Sequence, residues 1–338
     1  MKIAIVGAGI TGCLLADFLD TDNFEVSIFE KSRGCGGRAS TKQTDFGQCD
    51  IGATVVPVKT VEFAQFMRQL CHQNIVSQWP QTIAITHQNN GVKTPLEIFE
   101  SDREYYVFNQ KMNAACRHWA KKAQLHTNSL IDQVRYHQDK GWQLKINGVW
   151  QAERFDKLVI TAPWPQSQTI IEQSEVSLAL PTFSQTWSSC WSIAVKLDRV
   201  VTSAVDLVYL KGHSIQTLVR DSSKPQRPEV TTTQQNEIWV AQLANELSDD
   251  LGSQCMNEAI SIATKELCEL FGLSNQSVTD TYAHYWRYAR PSAGQKPLGI
   301  LSNHENGIYL GGDWSFGSSI ESAYEGARAL VQLIKTGV

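Results

Sequence analysis

No stretch of this 338-residue sequence approaches the ~20 consecutive apolar residues that a membrane-crossing helix requires. Its opening, Met1-Lys2-Ile3-Ala4-Ile5-Val6, runs into glycines rather than into the apolar core of a signal peptide, so residence in the cytoplasm is expected. The eight cysteines, at 13, 35, 49, 71, 116, 190, 255 and 268, form no C-x-x-C pair. Spacing therefore offers neither a zinc knuckle nor a redox dithiol; free thiols and no metal site are expected. Neither sign of charge dominates: 30 Lys and Arg stand against 34 Asp and Glu, a net charge of −4, which gives no electrostatic footprint for nucleic acid or an anionic membrane surface. Internal repeats and low-complexity tracts are absent as well. What remains is an ordinary globular composition, 42% hydrophobic and 19% charged, in a chain long enough for two joined domains.

The informative residues come first. Ile3 to Val6 is a β-branched run suited to a strand buried on both faces, and Gly7-Ala8-Gly9-Ile10-Thr11-Gly12 follows it directly. In such a G-x-G-x-x-G turn the first glycine permits the tight bend, the second lets backbone approach a pyrophosphate, and the third lets the following helix pack close to the strand. That helix, expected from about Thr11 to Leu19, aims its first N–H groups at phosphate oxygens. A second apolar run, Val26-Ser27-Ile28-Phe29, ends at Glu30, placed to accept hydrogen bonds from ribose hydroxyls and to repel a 2′-phosphate. The plainer alternative is a glycine-rich turn with a coincidental acid. No second strand, G-x-G-x-x-G, helix unit occurs between residues 60 and 300, and the C-x-x-x-x-C pair of disulfide reductases is missing, which disfavours a reductase with its own NAD(P)H domain.

Lys31-Ser32-Arg33-Gly34-Cys35-Gly36-Gly37-Arg38 and then Asp50-Ile51-Gly52-Ala53 resemble the G-G-R and D-x-G-A segments of FAD-dependent oxidases and desaturases related to the amine oxidases. Arg38, presented by glycines, has a fork of donors suited to a pyrophosphate; a solvated basic loop is the alternative. Near the other end, Ile308-Tyr309-Leu310 reads as a strand, Gly311-Gly312-Asp313 follows, and a last helix opens at Ser318-Ser319-Ile320-Glu321-Ser322-Ala323 and runs to about Lys335. The resemblance implies that Asp313 bonds the ribityl chain and that the helix start faces the flavin ring, where it stabilises negative charge on the reduced ring. It also implies a cofactor set of Gly7, Ala8, Gly9, Ile10, Thr11, Gly12, Glu30, Lys31, Gly37, Arg38, Gly52, Ala53, Thr54, Ile131, Gly312, Asp313, Ser319, Ile320 and Ala323, with FAD held non-covalently.

Between these segments, helices are expected over 60–74, 109–124 and 249–271, and strands over 130–136, 142–146, 149–152, 158–161, 192–197 and 238–243. The polar stretch from Asp221 to Asn236, with two prolines, reads as a long loop. The expected fold is α/β: a Rossmann-type FAD-binding domain, a parallel sheet with flanking helices, assembled from 1–58, 106–168 and 283–338. An inserted α+β substrate domain with a mostly antiparallel sheet takes 59–105 and 169–282. On a strand through Tyr282-Ala283-His284-Tyr285-Trp286-Arg287-Tyr288, the side chains of His284, Trp286 and Tyr288 point one way and those of Tyr285 and Arg287 the other. Trp286, Arg287, His284 and Tyr288 are thus substrate-pocket candidates; a buried aromatic strand is the alternative, and no catalytic residue can be singled out.

Taken with Y-W-R-Y-A at 285–289 and I-E-S-A at 320–323, the ordering resembles the renalase family. This resemblance implies an oxidase that takes hydride from 2- and 6-dihydro isomers of NAD(P)H and passes electrons to O2, giving NAD(P)+ and hydrogen peroxide. An amine oxidase or desaturase-like enzyme is the rival, with Trp314 and Phe316 as further aromatic candidates; a non-catalytic flavin-binding protein is the rival of another class. The expected partners are a small-molecule substrate and O2, with no nucleic acid and no membrane; monomer and homodimer both stay open.

Overall fold

The computed structural model describes residues 1–338 other than 20–22, 175, 177, 179–184, 202, 228–235 and 337–338. The chain divides into two compact units: 1–38, 113–186 and 290–338 form the first, 39–112 and 187–289 the second. Among the described residues no helix is long and apolar enough to cross a membrane.

The first unit is built on a six-stranded sheet in the order Gln124–His126, Glu25–Phe29, Lys2–Val6, Lys157–Ile160, Ile308–Leu310 and Leu301–Asn303. The first five strands run parallel, and the last returns antiparallel. Its central strands are the apolar runs of the sequence, buried along nearly their whole length, as parallel strands covered on both faces must be. The helix Ile10–Phe18 is buried all round from Ile10 to Ala16, because sheet and neighbouring helices enclose it. It packs against the last helix, Ile320–Thr336, with Phe18 and Tyr324 edge to face at 6.0 Å. A small antiparallel sheet, Ile131–His137, Gly141–Ile146 and Val149–Trp150, completes the unit.

The second unit carries an eight-stranded sheet whose main path is Val278–Pro291, Trp187–Leu197, Glu237–Leu243, Ile215–Arg220, Leu207–Lys211, Ile83–Asn89 and Val92–Lys93. Its pairings from Trp187–Leu197 to Leu207–Lys211 are antiparallel, whereas Leu207–Lys211 and Ile83–Asn89 run parallel. Helices Asn245–Leu251 and Met256–Phe271 cover one face, the first through Leu247 and Leu251 and the second through Ala259, Ala263 and Leu267. The expected α/β architecture, a Rossmann-like parallel sheet beside a mostly antiparallel one, is the observed one.

Several local expectations change. The helix expected over 249–271 is two helices, broken at Gly252, whose φ of 64° and ψ of −175° suit glycine and terminate the first of them. Over 109–124 only 114–122 is helical, since Tyr105–Phe108 is a strand and Gln110 has a positive φ. The polar stretch begins with a 3-10 turn, Asp221–Ser223, and its positions 228–235 lie outside the described residues. The unit boundaries differ too. Residues 39–58 and 106–112 pack in the second unit: the buried Asp50 carboxylate meets Lys224 Nζ at 2.8 Å and also pairs with Arg227, and Tyr105–Phe108 is hydrogen-bonded to Val76–Gln78. Conversely, the helix Trp164–Glu172 lies on Ile131–His137 in the first unit, and the strand through 283–289 is continuous with the large sheet of the second.

Candidate dinucleotide-binding site

The turn after the first strand is fixed from three directions. Gly7 takes a φ of 106°, and its N–H donates to Phe29 O at 2.8 Å. From the strand Lys157–Ile160, the hydroxyl of the following residue, Thr161, lies 3.1 Å from Val6 O and 3.0 Å from Gly7 O. Glu30, 7% exposed, accepts the Ala8 N–H on Oε2 at 2.9 Å and the Ser32 N–H on Oε1 at 2.8 Å. Each carboxylate oxygen keeps a further lone pair, so bracing the turn leaves Glu30 able to accept ribose hydroxyls.

The three glycines behave differently. A Cβ on Gly12 would lie 2.1 Å from Gly7 O, so this position has no space for a side chain. A Cβ on Gly9 would meet no heavy atom within 4 Å. Gly9 is also the N-cap of the helix Ile10–Phe18, and no side chain caps that end. An open space at an uncapped helix start, bounded by backbone N–H groups and facing positive dipole, is an anion cradle in shape and charge.

The glycine-rich loop and the C-terminal segment meet here. Gly36 N–H donates to Ala8 O at 2.8 Å, Asn113 Nδ2 holds Cys35 O at 3.1 Å, and Gly37 has a φ of 50°. Arg38 forms a two-pronged ion pair with Asp313, Nη1 to Oδ2 at 2.9 Å and Nη2 to Oδ1 at 2.6 Å. The sequence reading aimed these two side chains separately at pyrophosphate and ribityl; the structure joins them. The segment bearing Gly312 is pressed onto the last helix, since a Cβ on Gly326 would approach Gly312 O to 2.7 Å. Ser319 Oγ accepts the Ser322 N–H at 3.1 Å and caps the helix that starts at Ile320, with Ala323 buried one turn along. Lys31 is exposed, and Ile131 is buried at the start of its strand.

Gly52, Ala53 and Thr54 belong to the second unit, apart from the rest of the expected cofactor set. There Gln242 Nε2 donates to Gly52 O at 2.7 Å and Trp286 Nε1 to Ile51 O at 2.8 Å. Over Tyr282 to Trp286 the strand alternates: Tyr282 and Trp286 pack with Cys49, Ile51 and Ile238, whereas Tyr285 packs at 5.1 Å from Trp191 in the other core. His284 lies edge-on to Trp286 at 4.4 Å, and burial, with Lys42 nearby, pushes its pKa below the ordinary histidine value. Tyr288 stands edge-on to Trp187 at 6.4 Å, and Arg287 is exposed. Trp314 is no ligand-facing aromatic: it is fully buried, donates to Ala162 O at 3.0 Å and packs on Trp164. Phe316 is exposed.

Three site residues escaped the sequence reading. Thr161 was visible only as the end of a strand, Asn113 had no motif, and Gly326 lay within an otherwise ordinary helix.

Residues 5–70 match the NAD(P)-binding Rossmann-like domain family. The chain is also similar to 4,4'-diapophytoene desaturase of Staphylococcus aureus, 41% identical over 61 residues. That stretch is 18% of this chain and spans 12% of the desaturase. The whole fold is similar to an oxidoreductase from Methanosarcina mazei, with a TM-score of 0.74 at 13% identity, covering 98% of this chain and 100% of that one. A redesigned putrescine oxidase aligns with a TM-score of 0.72 at 10% identity, 99% of each chain being covered. Beyond the Rossmann-like segment, these likenesses are of fold.

Proposed function

We propose that this chain is an FAD-dependent oxidoreductase of the renalase type, an oxidase that returns 2- and 6-dihydro isomers of NAD(P)H to NAD(P)+. The observation that carries the dinucleotide half of this reading is the open space at Gly9, set at an uncapped helix start and beside Glu30. The residues present fit the group. Ile10, Thr11 and Gly12 offer backbone N–H groups to the pyrophosphate, Glu30 takes the adenosine ribose, and the carboxylate rejects a 2′-phosphate. Arg38 and Asp313 balance each other's charge; in this reading Arg38 turns its fork to the pyrophosphate and Asp313 accepts ribityl hydroxyls. The last helix, starting at Ile320, directs its positive end to the flavin ring and so favours the reduced, anionic form. Bound there without a covalent link, FAD would supply a two-electron acceptor that O2 reoxidises with formation of hydrogen peroxide.

A dihydronicotinamide substrate explains why no acid–base constellation is needed. Hydride leaves a dihydropyridine ring with no proton to abstract, so the protein has only to bind and orient it. The face of Val278–Pro291 that carries His284, Trp286 and Tyr288 supplies rings for stacking a planar substrate; His284, its pKa lowered, serves there as a neutral ring.

The test is anaerobic rapid mixing of the purified flavoprotein with 2-dihydro, 6-dihydro and ordinary 4-dihydro NAD(P)H, and separately with amines including putrescine. Flavin bleaching by a 2- or 6-isomer alone, reversed by oxygen, is the expected result. Bleaching by an amine alone would replace this substrate reading with amine oxidation, while bleaching by none would leave a flavin-binding protein without this activity.

A further inference from the structure

Cys13, Cys35 and Cys116 are far apart in sequence yet meet in the first unit. Cys13 lies one residue past the nucleotide turn, Cys35 in the glycine-rich loop and Cys116 in the helix Ala114–Trp119; all three are buried free thiols. Cys13 Sγ lies 3.4 Å from Ala8 O, the carbonyl that also accepts the Gly36 N–H at 2.8 Å beside Cys35, and Asn113, which precedes the helix bearing Cys116, bonds Cys35 O at 3.1 Å.

Cys35 differs from its two neighbours in having a way out. Although only 3% exposed, it lines a cleft of about 360 Å³ whose wall includes Arg33, Arg117, Lys121 and Thr127. The three cations make the cleft electropositive, and hydrogen peroxide is scarcely larger than water. The hydrogen bond from Cys13, helped by the Arg117 guanidinium and opposed by burial, holds the Cys35 thiol down to about 7. Cys13, bonded to Cys116 and Cys35 and fully buried, is held protonated. Cys35, its thiol held low, thus lines an open cationic cleft, and its neighbour Cys13 is a buried thiol.

We propose that Cys35 and Cys13 form a hydroperoxide-sensitive pair in which Cys35 is oxidised first and Cys13 resolves it to a disulfide. The Cys35 thiolate attacks one peroxide oxygen: an S–O bond forms, the O–O bond breaks, and the departing hydroxide or alkoxide takes a proton from solvent. Sulfur loses two electrons and the peroxide gains them. Cys13 then gives up its proton and displaces the sulfenic hydroxyl, so that an S–S bond forms, the S–O bond breaks and water leaves. In sum, two thiols and a hydroperoxide give a disulfide, an alcohol or water, and water. The link would join the start of the nucleotide helix to the loop that carries Gly37 and Arg38, already tied to it by the Gly36–Ala8 hydrogen bond. No part of this depends on which substrate the protein oxidises.

The experiment is brief exposure of the native protein at neutral pH to hydrogen peroxide and to cumene hydroperoxide, followed by alkylation, digestion and mass spectrometry. A Cys13–Cys35 linked peptide is expected, forming roughly tenfold faster than oxidation of the exposed Cys71. Cys13→Ser should leave Cys35 as a sulfenic acid that dimedone traps, and Cys35→Ser should leave Cys13 and Cys116 reduced. The proposal is overturned if Cys35 in the unsubstituted chain reacts no faster than Cys71, if the link joins Cys13 to Cys116 instead, or if Cys35→Ser does not slow oxidation of Cys13. Because the peptide map of the unsubstituted chain decides the first two points, a variant that fails to fold leaves the test intact.

Discussion

At Gly12 and Gly9, one added methyl group separates packing from binding. Gly12→Ala drives a Cβ to within 2.1 Å of backbone oxygen, where no rotamer can relieve it. Overpacking of this kind costs about 1–3 kcal/mol, and a lowered urea midpoint at unchanged slope is the expected measurement. Gly9→Ala meets nothing within 4 Å, and its φ of −75° is open to any residue. Its stability should change by no more than about 1 kcal/mol, the smaller unfolded-state freedom of alanine offsetting its poorer N-cap, while dinucleotide affinity falls about tenfold or more because the methyl fills the space a pyrophosphate needs. Unchanged affinity in Gly9→Ala would show that this space is not a ligand's. The bend at Gly7, the close packing at Gly12 and the position of Glu30 were legible because strand, turn and acid are local in sequence. Thr161 and the Arg38–Asp313 pair were not: each is a contact across more than a hundred residues, and such contacts leave no local periodicity.

Among secondary-structure elements, alternation proved a better guide than helical spacing. A period of two in the Tyr282–Tyr288 run correctly separated Trp286 from Tyr285, because a strand between two apolar cores has no other way to place its side chains. By contrast, apolar residues at helical intervals on both sides of Gly252 concealed a break. Gly252 has space around its missing Cβ but a backbone conformation that only glycine adopts readily. Gly252→Ala should therefore cost about 1–3 kcal/mol through backbone strain alone, read as a lower urea midpoint with no change in flavin content. A neutral result would mean that the two helices tolerate a different junction.

For the whole molecule, the division into units follows buried charge more closely than motif order. Asp50 opens the D-x-G-A segment that the sequence grouped with the nucleotide turn, yet it is buried against Lys224 and Arg227 of the second unit, with Asp221 2.6 Å from the same Lys224 ammonium. The Lys224 and Arg227 charges hold the Asp50 carboxyl below its usual range against the opposing effect of burial, whereas burial pushes Asp221 up. Such a network holds 39–58 in the second unit because separating any member would strand an unpaired charge. No sequence spacing announces it, since its members are some 170 residues apart. Both halves of the α/β architecture were nevertheless legible, from the parallel-strand runs at one end and the alternating strands in the middle.

The central claim is that the first unit holds FAD through its adenosine and pyrophosphate as well as its ring. Equilibrium titration of the flavin-free protein with FAD, FMN and NAD+ tests this most directly. Glu30 and the open turn at Gly9 predict that FAD binds at least about a hundredfold tighter than FMN, a difference of about 2.7 kcal/mol for the adenosine half, and that NAD+ does not displace it. Equal binding of FMN and FAD, or displacement of FAD by equimolar NAD+, would contradict the account.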